Sequence, residues 1–224
     1  MNVVEEPEQY STDFMKCLRY LRSHKDAILS TTSSENAAES SQDSSTPEDQ
    51  LDILVLGGLG GRVDQAFSQI HHLYTCSRLS PREADRPEGN IYLVSEESIS
   101  FVLNEGQHRI LTPGGSKLGP EASKGACNGH EHSDVSKNNG INGASCDGEE
   151  YLSENVGIIP VAGPGVITTS GFEWDVRDWK TEIGGQLSTS NHIRKDVVTV
   201  EASVPVLFTA ELARQLKLCG QREN

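Results

Sequence analysis

No two cysteines in this chain stand at the C-x-x-C spacing of a metal clip or redox pair. The five that occur, Cys17, Cys76, Cys127, Cys146 and Cys219, are odd in number and widely scattered. A disulfide framework is not expected, and reduced thiols are the default. Basic side chains are also scarce: 19 Lys and Arg stand against 33 Asp and Glu, a formal net charge of −14. That balance disfavours a nucleic acid partner. No apolar run approaches the roughly 20 residues of a membrane-spanning helix. The opening Met1-Asn2-Val3-Val4-Glu5-Glu6 lacks the basic and apolar regions of a signal peptide. The expectation is a cytoplasmic protein that does not enter the membrane. No internal repeat is evident, and 224 residues suit one large or two small domains.

What is present is concentrated in Leu51-Asp-Ile-Leu-Val-Leu-Gly-Gly-Leu-Gly-Gly-Arg-Val-Asp-Gln-Ala-Phe67. An apolar strand runs into a four-glycine turn that ends in Arg62 and Asp64. Glycines let backbone N–H groups approach an anion, the following helix offers its positive end, and Arg62 supplies a fork of donors matched to phosphate oxygens. No Gly-Lys-Ser/Thr follows, so this is not a Walker A loop. Glycines alone fit a tight strand-to-helix connection equally well. The Arg-x-Asp tail favours a nucleotide site, because a turn has no need of a guanidinium and a carboxylate two residues apart.

Two low-complexity stretches separate three blocks. About half of residues 30–50 are Ser or Thr, and nearly half of residues 112–155 are Gly, Ser or Asn. Neither has enough apolar surface to join a core, so disordered insertions are expected. In the first block Phe14, Cys17, Leu18 and Leu21 recur at helical spacing, with Thr12 as N-cap and Asp13 in the first turn. In the second, the strand 51–56 and the glycine turn lead into a helix striped by Ala66, Phe67, Ile70, Leu73 and Tyr74. Apolar runs follow at 91–94 and 99–103, then a strand at 108–111, with Asn104-Glu105-Gly106 read as a hairpin turn. From Val156 to Leu212, short Val-, Ile- and Thr-rich runs alternate with Gly, Pro and Asn, the pattern of a β-sandwich or barrel. The fold class is therefore α/β followed by all-β.

Four segments in order carry a resemblance. Pro7-Glu-Gln-Tyr-Ser-Thr-Asp-Phe14, Gly57-Gly-Leu-Gly-Gly-Arg-Val-Asp-Gln65, Thr168-Thr-Ser-Gly-Phe-Glu-Trp174 and Leu187-Ser-Thr-Ser-Asn191 resemble motifs of the thiamine pyrophosphokinase family. Val198-Thr-Val-Glu201 resembles its closing strand. The likeness spans residues 7–22, 51–111 and 156–212. It implies a homodimer with an α/β nucleotide-binding domain and a C-terminal β-sandwich, with thiamine bound between subunits. It also implies transfer of a diphosphoryl group from ATP to the thiamine hydroxyl, with Mg²⁺ offsetting charge among the phosphate oxygens. The domains so implied are a partial nucleotide-binding domain over 1–111, with the last hairpin able to pack on its neighbour, an insertion over 112–155, and a thiamine-binding sandwich over 156–224.

By the same resemblance, Asp13 is catalytic and metal-binding, and Gln9 contacts substrate or phosphate. Gly60, Gly61, Arg62, Asp64 and Gln65 form the nucleotide pocket. Ser188 and Asn191 bond the aminopyrimidine of thiamine, and Trp174 stacks on its cationic rings. Each residue has a plainer reading. Asp13 suits any helix N-terminus, Trp174 could be a core aromatic, and Ser188–Asn191 could form a turn.

His130-Glu131-His132 with Asp134, Cys127 and Cys146 is a weak zinc candidate whose spacing fits no common clip. His71-His72 reads as a surface or packing pair. The family's Asp-Gly-Gly-Ala-Asn-like loop and Gly-Asp-x-Asp-Ser motif are not found, and Asp13 and Asp26 are the only aspartates before the first insertion. If Met1 is the true start, the nucleotide domain is expected to lack its opening strands, with severe loss of rate in this form. A fragment of an ordinary thiamine diphosphokinase is the first expectation. A non-catalytic thiamine-binding module is the alternative.

Overall fold

The computed structural model describes residues 5–35, 50–78, 89–115 and 151–217. The chain divides into two compact units, Met1–Leu93 and Val94–Asn224.

The first unit contains α1 (Asp13–Ser23), α2 (Lys25–Glu35), β1 (Ile53–Leu56), α3 (Val63–Arg78) and β2 (Ile91–Val94), with β1 and β2 side by side. Thr12 caps α1 as expected, its side chain accepting the Met15 N–H at 3.2 Å. Leu18 is the buried residue of that helix. Phe14 and Leu21 are half-buried, whereas Cys17 is exposed, so the helix buries a narrower arc than the apolar spacing suggested. The buried arc of α3 comprises His72, Leu73, Tyr74 and Cys76. Phe67, expected in the stripe, is 59% exposed. Cys17 and Cys76 are free thiols.

The expected insertion at 30–50 begins later than its composition implied, because α2 continues through Glu35. Ser and Thr are only weak helix breakers away from a cap, so helix geometry carries through them. Residues 36–49 lie outside the described residues.

The second unit contains β3 (Ser98–Leu103), β4 (Gly106–Leu111), β5 (Leu152–Ile159), β6 (Gly165–Ser170), β7 (Trp179–Thr181), β8 (Ser188–His192), β9 (Val197–Ala202), β10 (Val206–Leu212) and the short α4 (Arg214–Lys217). One of its sheets runs β3-β10-β5-β8 and the other β4-β9-β6-β7. The strand pairs β3–β10, β10–β5, β5–β8, β4–β9, β9–β6 and β6–β7 are antiparallel. Between the sheets lie Leu103, Val156, Ile158, Val206 and Phe208 from one and Ile167, Val198, Val200 and Ala202 from the other. The alternation of Val198, Val200 and Ala202 along β9 is the period of a strand with one buried face. This is the sandwich that the Val, Ile and Thr pattern implied.

The units divide between Leu93 and Val94, and β3 pairs with β10 and β4 with β9, so the last two strands of the 1–111 stretch belong with the sandwich, as the expected packing of that hairpin on its neighbour allows. Two other features differ from expectation. Asn104-Glu105-Gly106 is accordingly a corner between the two sheets and not a hairpin turn, with Gly106 at φ 121° supplying a conformation that L side chains rarely adopt. The stretch 112–155 is not wholly outside the core. Thr112 is buried and donates its hydroxyl to the Lys195 carbonyl at 2.7 Å, and β5 begins at Leu152. Residues 116–150, with the His130 cluster, lie outside the described residues.

Candidate functional site

The glycine turn leaves β1 through Gly57 at φ 81°, Leu59 at φ 60° and Gly61 at φ 73°. Leu59 is the costly position, since its Cβ crowds the following carbonyl oxygen in the left-handed region. Its N–H donates to Gln69 Oε1 on α3 at 2.7 Å, which holds the turn against the helix that follows it. A Cβ at Gly58 would touch Leu93 and Gln69, whereas Gly60 and Gly61 face open space. Those two glycines can therefore be approached closely by a ligand.

Arg62 and Asp64 meet each other. Arg62 Nε donates to Asp64 Oδ1 at 3.0 Å and Nη2 to Oδ2 at 2.6 Å, with both side chains well exposed. The guanidinium holds the Asp64 carboxyl below the usual carboxylate range. An incoming phosphate would have to share or take over that fork. Gln65 is exposed and its N–H donates to the Arg62 carbonyl at 3.1 Å, starting α3.

Asp13 projects fully into solvent from the first turn of α1, with Lys16 Nζ 3.8 Å away. Gln9 is exposed in the segment before it. Among the described residues no group of three or more His, Cys, Asp and Glu side chains could hold a metal ion. One exposed carboxylate fits a cation that arrives on nucleotide phosphates, as Mg²⁺ commonly does, and does not fit a preformed protein cage.

In the second unit, the segment 168–178 builds a braced loop between β6 and β7. Asp175 accepts the N–H groups of Gly171 and Phe172, both at 3.0 Å. The hydroxyls of Thr168 and Thr169 accept those of Asp178 and Val176, both at 3.0 Å. Phe172 is buried and bridges to Ile193, while Glu173 N–H donates to the His192 carbonyl at 2.8 Å. The loop is thereby laid along the chain that leaves β8.

Trp174, at the outer end of this loop, is 53% exposed. It is not a core aromatic. Its backbone is gripped by Asn191, whose Oδ1 accepts the Trp174 N–H at 3.1 Å and whose Nδ2 donates to the Trp174 carbonyl at 2.9 Å. Asn191 Oδ1 also accepts the His192 N–H at 2.8 Å. Buried Asn191 thus uses most of its bonding capacity on the protein itself. Ser188–His192 is strand β8, not a turn, although Ser190 takes φ 54° beside a register irregularity in β5. Half-buried Ser188 pairs with Ile158 at the other end of β8 from Asn191.

Four residues that the sequence reading did not single out complete this face. The His192 ring packs 4.9 Å from that of Trp174, centroid to centroid. His192 Nδ1 lies 2.7 Å from Glu173 Oε2, and Arg194 bridges Glu173 and, at 2.7 Å, Glu154. His192 and Arg194 hold the Glu173 carboxyl below its ordinary value. Open cavities of about 590 Å³, at Lys180, Glu182 and Ser203, and of about 430 Å³, at Asn155, Thr189 and Thr209, do not include Trp174 in their linings. A ligand on Trp174 would meet an exposed platform instead.

Both halves of this arrangement match known proteins. The family model for "Thiamin pyrophosphokinase, catalytic domain" matches residues 1–82, and that for "Thiamin pyrophosphokinase, vitamin B1 binding domain" matches residues 145–207. The chain belongs to the thiamin pyrophosphokinase family. Thiamine pyrophosphokinase 2 of Arabidopsis thaliana is 25% identical over 211 residues, covering 94% of this chain and 56% of the relative. Thiamine pyrophosphokinase of Saccharomyces cerevisiae is 24% identical over 218 residues, covering 88% and 56%. The chain thus spans little more than half the length of these relatives. Among solved structures, yeast thiamin pyrophosphokinase superposes with a TM-score of 0.62 at 21% identity, covering 96% of this chain and 63% of that one. The Candida albicans enzyme gives 0.60 at 22%, covering 92% and 63%. That likeness shows the fold, α/β followed by a β-sandwich.

Proposed function

We propose that this chain is a thiamine diphosphokinase, converting ATP and thiamine to AMP and thiamine diphosphate. The observation that carries the reading is the pairing, in one chain, of an Arg62–Asp64 fork on a glycine turn with a braced, outward-facing Trp174. The family matches fall on both. In the reaction, the thiamine hydroxyl oxygen bonds to the β-phosphorus as the bond from that phosphorus to the bridging oxygen of the α-phosphate breaks. AMP leaves with that electron pair, and the hydroxyl proton goes to base or solvent.

Gly60 and Gly61 would present backbone N–H groups to phosphate, and Arg62 would stabilise negative charge that grows on its oxygens. Asp64 and Gln65 would orient Arg62 and the nucleotide. Gln9 and Asp13 would bind the phosphates and their cation, and Mg²⁺ held by Asp13 would supply charge neutralisation there. Trp174 would stack on the cationic thiamine rings. Ser188 would bond the aminopyrimidine, and Asn191 would do so with its remaining donor while keeping Trp174 in place. The reading includes a homodimer with thiamine between subunits, acting in the cytoplasm.

A second reading, a thiamine-binding module without catalysis, is favoured by one observation: the bracing of Trp174 lies wholly within the second unit. Purified protein given ATP, Mg²⁺ and thiamine separates the two. Release of AMP with matching thiamine diphosphate is expected. Thiamine binding without AMP release would establish the module, and a folded protein that binds neither substrate would overturn both.

A further inference from the structure

His72 is the one described residue with a buried side-chain polar atom lacking any partner: its Nδ1. The residue is 6% exposed on α3. Its Nε2 lies 2.8 Å from Thr12 Oγ1, the atom that also caps α1, and its ring packs against Phe14 at 5.2 Å. An orphan buried nitrogen costs free energy. Packing against Phe14 could be supplied without that cost by a phenylalanine. What the histidine adds is the hydrogen bond to Thr12.

That bond joins two segments. Thr12 sets the start of the helix whose first residue is Asp13, and α3 begins directly after Arg62, which holds Asp64. The Thr12 hydroxyl oxygen can accept from both the Met15 N–H and a His72 Nε2–H, which leaves only a lone pair on Nδ1. This is the neutral imidazole. A second ring proton would have no acceptor among the described residues, and burial together with neighbouring His71 holds His72 below its ordinary value.

We propose that His72 is a positioning residue for nucleotide: by holding Thr12 it fixes the first turn of α1, with Asp13, against the helix that carries the Arg62–Asp64 turn. The inference rests on the diphosphokinase reading and adds to it a residue that touches neither substrate.

The test compares the whole wild-type chain with His72→Phe, which keeps the packing, and His72→Gln, whose amide can reach Thr12. MgATP and thiamine affinities are measured by calorimetry, with the urea unfolding midpoint beside them. His72→Phe is expected to weaken MgATP by between about twofold and tenfold, the span set by the net worth of one hydrogen bond. Thiamine affinity should stay within about twofold and the unfolding midpoint should hold or rise, because the orphan nitrogen is gone. His72→Gln should recover most of the MgATP affinity. Wild-type MgATP affinity in a folded His72→Phe overturns the inference alone. Absence of MgATP binding in the wild type overturns the diphosphokinase reading and the inference with it. Should His72→Phe fail to fold, His72→Leu takes its place beside His72→Gln. Loss of MgATP affinity in His72→Leu with recovery in His72→Gln supports the inference, and equal affinities overturn it.

Discussion

In the second unit Trp174 is half exposed, yet its N–H and carbonyl are both bonded to a buried asparagine and its ring rests on a histidine held by Glu173. In the first unit Arg62, Asp64 and Asp13 are exposed side chains; Arg62 and Asp64 hold one another, and Asp13 has a lysine 3.8 Å away. The sandwich can order its outward-facing residue because two sheets bury a continuous core beneath it. The glycine turn orders only its backbone, through Gln69 and the left-handed Leu59. An aromatic platform gains from being rigid before its ligand arrives. In the proposed reading, Asp64 is the counter-charge that an incoming phosphate would displace from Arg62.

This contrast can be broken from either side. The largest effect belongs to the sandwich core: Phe208→Ala, at a residue 1% exposed, should cost about 3–5 kcal/mol of unfolding free energy, read by urea denaturation. Next is Asn191→Ala, which removes three hydrogen bonds around Trp174 and should cost about 2–3 kcal/mol. It should weaken thiamine binding more than MgATP binding. A stable Asn191→Ala with unchanged thiamine affinity would mean that Trp174 does not depend on the asparagine.

A smaller effect is expected of acid on the first unit. The folded-state pKa of His72 is lowered, so the unfolded chain takes up the proton first as pH falls. The associated stability is intact above about pH 6.5, the ordinary histidine value. It declines from there toward the lowered folded value. His72→Phe should flatten that limb of the stability curve, and an unchanged limb would assign it to other groups.

Much of the framework was legible in the sequence because it rests on local patterns. Thr12 before an apolar stripe predicts a capped helix, and Val198, Val200 and Ala202 at alternate positions predict a strand with one face in a core. The helix stripes misplaced Cys17 and Phe67, because periodicity names a face without giving the width of the arc that neighbours cover. The corner at Gly106 looked like a hairpin turn, since a glycine turn between two strands does not reveal whether they share a sheet. Asn191, Asp175 and Gln69 illustrate the harder case. Their side chains bond backbone groups in other segments, and no local spacing carries that information. The bonds among His192, Glu173 and Arg194 are hidden from local spacing for the same reason, although Glu173 stands beside Trp174 in the sequence.

The most direct test of the division between the units is calorimetric titration of MgATP and of thiamine into the wild-type chain, Arg62→Ala and Trp174→Ala. Both variants should unfold within about 0.5 kcal/mol of wild type, as exposed positions do. The account predicts a crossed result: Arg62→Ala loses about tenfold in MgATP affinity, for a charge-assisted hydrogen bond of about 1.5 kcal/mol or more. It keeps its thiamine affinity, while Trp174→Ala does the reverse. Equal losses for both ligands in either variant, or none in both, would contradict it.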